Sequence, residues 1–134
     1  MNVLVIALDT AALDTAALDT ATPVDLPEPE VLVVAPALNS RLRRWLSDED
    51  DARRLAGARA SATVERLERR GFHAHGQIGD GDPLQAIADA LPVFAADEIV
   101  IAGDTSVAER LAARARERFG LPVLRGDEML ARAA

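Results

Sequence analysis

Three short runs in this chain are apolar at every position: Val3 to Leu8, Val31 to Ala35 and Ile99 to Ala102. A strand with no polar alternation has to be covered on both faces, which is the condition of strands in a parallel sheet sandwiched between helical layers. The segments between the runs supply such layers. Ser47 is placed to cap a helix reaching about residue 70, with Asp48 to Asp51 in its first turn, where the helix dipole favours negative charge. Its inner face is Ala52, Ala56, Ala60, Thr63, Val64 and Leu67, and Arg69, Arg70 and Gly71 close it. A second helix opens at Asp82-Pro83, a cap followed by a residue suited to the first turn, and sets Leu84, Ile87, Ala88 and Leu91 on one side until Pro92 stops it. In a third, Ser106 and Glu109 have capping-box spacing, Ala108, Leu111, Ala112, Ala115 and Phe119 form the inner face, and Gly120 ends it. Phe72 to Ile78 reads as a more polar strand, hence one at a sheet edge, and Leu121 to Leu124 as a short final strand.

The first connection is the least regular. Residues 7 to 21 contain Ala-Leu-Asp-Thr three times at a five-residue period. Five residues turn a helix by about 500°, so the three leucines do not share a face. A thin stripe through Leu13, Ala16, Ala17, Thr20, Ala21 and Val24 is compatible with a helix, and Pro23, Pro27 and Pro29 end it. The alternative is a frayed segment. Residues 127 to 134 are either one more helical turn or loose.

Composition removes several functions. The chain has 134 residues, 49% of them apolar, which suits one domain spanning 1–134. Without cysteine there is no disulfide, thiolate metal site or cysteine nucleophile. The formal charge of −7 opposes nucleic-acid and anionic-membrane binding. Asp9, Asp14 and Asp19 interrupt the amino-terminal apolar stretch before it spans a bilayer, and no basic segment precedes it, so a cytoplasmic protein is expected. All 15 basic residues are arginine. The absence of lysine excludes a phosphate-loop lysine and a Schiff base.

Local motifs read as structure before chemistry. Arg41, Arg43, Arg44 and Trp45 form a candidate phosphate or partner cluster, but the acidic run Asp48 to Asp51 follows to neutralise it and a lone tryptophan commonly anchors a loop. His73 and His75 project to one side of their strand without an assured third metal ligand. Gly79-Asp80-Gly81-Asp82 lacks the remaining positions of a calcium loop, and turn plus helix cap explain it.

Strands and helices in alternation, joined by right-handed crossovers, make a five-stranded parallel sheet covered on both faces. The pattern Gly81-x-Pro83-x3-Ile87-x2-Ala90, then Asp97-x-Ile99-Val100-Ile101-x-Gly103, resembles the second half of a universal stress protein domain. Ala35 to Trp45 with Ser47 to Asp50 resembles a short subgroup of that family. The resemblance extends from about Val31 to Val123. It implies an α/β, doubly wound, adenine nucleotide alpha hydrolase-like fold with strand order 3-2-1-4-5. Ligands of such sheets bind beyond the carboxyl ends of the strands where the order reverses, here between the first and fourth. That gathers Asp9, Thr10, Ala35, Gly103, Asp104, Thr105 and Ser106 around an adenine-nucleotide crevice.

Universal stress proteins that hold ATP wrap the phosphates with Gly-x2-Gly-x9-Gly-Ser/Thr. This chain keeps Gly103 but has Ser106 and Arg116 at the next two glycine positions, and a short loop before the helix. Arg110 and Arg114 are expected on the solvent side of that helix. The resemblance thus implies a non-enzymatic, stress-related or regulatory module with a degenerate, weak nucleotide crevice. An enzyme of the same superfamily performing adenylyl or phosphoryl chemistry is the alternative, favoured if arginines and carboxylates converge around Gly103. Related domains pair through the last strand, so a homodimer is expected, with Pro122 and Arg125-Gly126-Asp127 making its contact less apolar than usual.

Overall fold

The computed structural model describes residues 2–8, 30–38, 49–103 and 105–125. Within them the chain runs β1 (Asn2–Ala7), β2 (Glu30–Pro36), α1 (Glu49–Arg69), β3 (His73–Gly79), α2 (Pro83–Ala90), β4 (Glu98–Ala102), α3 (Thr105–Phe119) and β5 (Val123–Arg125). The five strands form one parallel sheet in the order β3-β2-β1-β4-β5. β1 is central: Val5 pairs with Val33 of β2 on one side and with Val100 of β4 on the other. The repeat over residues 9–21, the proline-marked linker, the Arg41 to Trp45 cluster and the tail at 127–134 all lie outside the described residues.

The continuous apolar runs are used on both faces, as their composition requires. Val3, Val5 and Ala7, with Val31, Val33, Ala35, Val100 and Ala102, pack on one face with Ala56, Ala60 and Leu67 of α1. Leu4 and Ile6, with Val34, Ile99 and Ile101, pack on the other with Ile87 of α2 and Ala108, Ala112 and Ala115 of α3. Leu4, Ile6, Ile99 and Ile101 are fully buried, and each such side chain contributes about 1.5–3 kcal/mol. An exposed pair such as Arg69 with Glu65 contributes about 0–1 kcal/mol, so the fold rests on these strands.

Helix ends follow sequence signals closely. Gly71 takes a positive φ of 87° after α1. There the N–H of Gly71 bonds the Glu68 carbonyl at 2.9 Å and that of Phe72 the Leu67 carbonyl at 3.1 Å, with Phe72 packed on the cluster holding Leu67. This is the paired closure that a left-handed glycine permits. Gly120, at φ 66°, ends α3 with one bond to the Arg116 carbonyl. Asp82 caps α2 by accepting the Leu84 N–H at 3.1 Å, and Pro83 follows in the first turn. Thr63 is fully buried in α1 because its hydroxyl donates to the Arg59 carbonyl one turn back, at 2.8 Å.

Three local expectations change. α2 buries Ala86, Ile87 and Ala90, while Leu84, Ala88 and Leu91 are only half-buried, so its inner face is rotated toward small residues that the leucine spacing conceals. β5 starts at Val123 rather than Leu121: Pro122 has no N–H for the ladder, though its carbonyl still accepts the Ile99 N–H at 2.9 Å. α3 already includes Thr105, so Ser106 stands inside the first turn rather than at the cap position that the capping-box spacing suggested.

Candidate functional site

Strand order reverses at β1, whose neighbours β2 and β4 leave toward opposite edges of the sheet. The carboxyl ends of β1 and β4 are Ala7 and Ala102, paired in register. Leu8 prolongs this pairing, its N–H donating to the Ala102 carbonyl at 2.8 Å, and thereby comes to lie against Gly103. A Cβ placed on Gly103 would be 2.9 Å from Leu8 Cβ and 3.0 Å from Leu8 Cδ1. Gly103 therefore has a packing reason to be glycine. It is not one of the described glycines with positive φ, which are Gly71 and Gly120.

Of the other expected site residues, only Ala35 and Ser106 have described side chains. Ala35 is fully buried, and its side chain belongs to the core cluster beneath α1, so only its backbone reaches the carboxyl edge. Ser106 is exposed near the start of α3. Thr105 begins the helix, and its side chain lies outside the described residues, as do Asp9, Thr10 and Asp104. Among the described residues, the nearest side chain to Gly103 is apolar Leu8.

Sequence reasoning missed Arg59. Reaching over from α1, its Nε donates to the Ala7 carbonyl at 3.1 Å and an Nη to the Pro36 carbonyl, which ties together the carboxyl ends of β1 and β2. The planar fork of guanidinium suits two acceptors on adjacent strands in a way that an ammonium does not. A signal was present: Arg59 falls three residues after Ala56 and four before Thr63, on the apolar stripe of α1, where a charge needs a dedicated partner.

Arg110 and Arg114 are exposed, as expected, but they do not face open solvent alone. They line a groove of about 580 Å³ between α2 and α3, together with Asp82, Pro83, Leu84, Val107, Leu111 and Ala113. At the far edge of the sheet, His73 and His75 are exposed on β3, and no group of three His, Asp or Glu side chains converges among the described residues.

No family model matches the chain, and no curated protein does. Solved structures do. The chain is similar to a protein of the universal stress protein family from Burkholderia pseudomallei, at 27% identity and a TM-score of 0.58, covering 92% of this chain and 93% of that one. It is similar in fold to a universal stress protein family protein from Arabidopsis thaliana with AMP bound, at 12% identity and a TM-score of 0.62, over 93% and 90% of the two chains. A hypothetical protein aligns at 15% identity and a TM-score of 0.56, over 92% of this chain and 93% of its own.

Proposed function

Starting from a chain with the universal stress protein fold, we propose that it is a non-enzymatic, stress-related or regulatory module that binds an adenine nucleotide weakly and grips one phosphate rather than three. The observation that carries this reading is the short step from β4 to α3. β4 ends at Ala102 and α3 begins at Thr105, leaving only Gly103 and one further residue between them. Wrapping a polyphosphate takes several backbone N–H groups aimed at it by glycines, and a two-residue connection has too few. What remains at this edge is the start of a helix, which favours one anionic group. The structural neighbour from Arabidopsis thaliana has AMP, a nucleotide with one phosphate, bound.

The non-enzymatic part is supported by the apolar Leu8 against Gly103. Adenylyl or phosphoryl transfer needs a nucleophile or general base beside the phosphate as well as charge stabilisation, and the chain has no lysine, cysteine or tyrosine to serve as one. We further propose a single domain over 1–134, acting in the cytoplasm as a homodimer. No helix among the described residues is long and apolar enough to cross a membrane.

A thermal-shift screen of AMP, ADP and ATP, each with and without magnesium, tests the reading, because a ligand that binds only the folded state raises its stability. AMP should raise the melting temperature at millimolar concentration, with magnesium-ATP doing no better. Sustained release of ADP or pyrophosphate from ATP would overturn the non-enzymatic assignment.

A further inference from the structure

We infer that the groove between α2 and α3 is the phosphate subsite for the proposed nucleotide, with Arg110 and Arg114 as the groups that hold the phosphate. This rests on the nucleotide reading above and assigns it side chains that the family's glycine pattern does not supply.

Most of the described arginines of this acidic chain have partners. Arg54 pairs with Asp51, Arg69 with Glu65 and Arg125 with Glu109. Arg59 and Arg116 donate to backbone carbonyls, and Arg118 lies over the Phe119 ring. Arg110 and Arg114 make no hydrogen bond or ion pair with another described residue. Their spacing of four places them one turn apart on one side of α3, and both border the same groove. Asp82 is the one carboxylate among the described lining residues, and it accepts the Leu84 N–H as the cap of α2. Among the described lining residues, two cations face one occupied carboxylate on a molecule of net charge −7, and anions are drawn to such a pairing.

Position and size agree with this assignment. α2 begins four residues after the carboxyl end of β3, and Val107 lies in the first turn of α3, which leaves the carboxyl end of β4. One end of the groove therefore lies on the carboxyl side of the sheet. Its volume of about 580 Å³ is within the roughly 300–1,000 Å³ of small-molecule sites. Val107, 54% exposed, and half-buried Leu84 give it an apolar wall for the ligand's uncharged portion. Arginine forks match phosphate oxygens two at a time, so a pair of them replaces part of what a glycine-rich loop achieves with backbone donors.

Calorimetric titration of the full chain with AMP and with adenosine tests the inference, alongside the double variant Arg110→Gln/Arg114→Gln. Both side chains are exposed, and circular dichroism checks that the variant is folded. AMP should bind the unaltered chain at least about tenfold more tightly than adenosine, and the variant should lose that advantage while binding adenosine as before. If AMP keeps its advantage in the folded variant, the subsite is elsewhere and the inference fails while the nucleotide reading survives. If neither AMP nor adenosine binds the unaltered chain, both fail together.

Discussion

Leu8 and Gly103 touch across the carboxyl ends of β1 and β4: a Cβ on Gly103 would lie 2.9 Å from Leu8 Cβ and 3.0 Å from Leu8 Cδ1. The contact follows from one backbone hydrogen bond, Leu8 N–H to the Ala102 carbonyl, that carries the β1–β4 pairing a residue further than the strands. Gly103→Val should therefore destabilise the fold by about 1–3 kcal/mol even without ligand, as overpacked core sites do. Leu8→Ala in the same chain should recover part of the loss, because Leu8 Cδ1 and Cγ are two of the three close atoms. Denaturant titration of the two single variants and the double closes the cycle, and additive effects would mean that the two residues do not compete for this space.

Arg59 makes the second test. Removing its guanidinium leaves the Ala7 and Pro36 carbonyls without their arginine partner at a half-buried edge. Arg59→Met should cost about 1–3 kcal/mol in urea unfolding, and Arg59→Lys should recover only part, since one ammonium does not reproduce a planar fork. Full stability in Arg59→Lys would show that charge alone is sufficient there.

Two glycines should respond to alanine for different reasons. On Gly79 a Cβ would stand 2.5 Å from Val34 Cγ1 and 3.0 Å from Ala86 Cβ, so Gly79→Ala must push α2 away from β2. Gly120 has nothing within 4 Å of a Cβ but holds a φ of 66°. Gly120→Ala then carries only the left-handed backbone cost of about 1–2 kcal/mol, and Gly120→Asn less. In thermal unfolding, Gly79→Ala should lower the midpoint more than Gly120→Ala, and Gly120→Asn least. Equal losses at both positions would remove the packing explanation for Gly79.

How far the sequence foretold this arrangement depended on whether the determining contacts were local. Val3 to Leu8 and Ile99 to Ala102 announced buried parallel strands because period and composition lie within a few residues. Gly71, Asp82 and Gly120 announced helix ends for the same reason. The order 3-2-1-4-5 came from the family resemblance, since composition cannot order strands that look alike. Arg59 went unnoticed because its acceptors are 52 and 23 residues away. The reason for Gly103 was equally hidden, since its neighbour is Leu8. Arg110 and Arg114 were rightly read as exposed, yet the groove they border depends on α2, which periodicity on α3 does not reveal. Asp9, Thr10 and Asp104 stay as sequence readings, being outside the described residues.

Assembly provides a further expectation. β5, an edge strand of three residues, presents Leu124 and Arg125, both half-buried, and Arg125 is directed to Glu109. A homodimer formed along this edge should be salt-sensitive and weaker than one with an apolar contact. Multi-angle light scattering at micromolar concentration should find dimer, dissociating on dilution, and Leu124→Asp should give monomer. A chain that stays monomeric throughout this range does not pair by this edge.

The most direct measurement compares magnesium-ATP with AMP by isothermal calorimetry on the unaltered chain. With only Gly103 and one more residue between β4 and α3, the two extra phosphates should gain nothing, so ATP should bind no more tightly than AMP. Magnesium-ATP binding in the low micromolar range, tighter than AMP by about tenfold or more, would contradict the single-phosphate crevice.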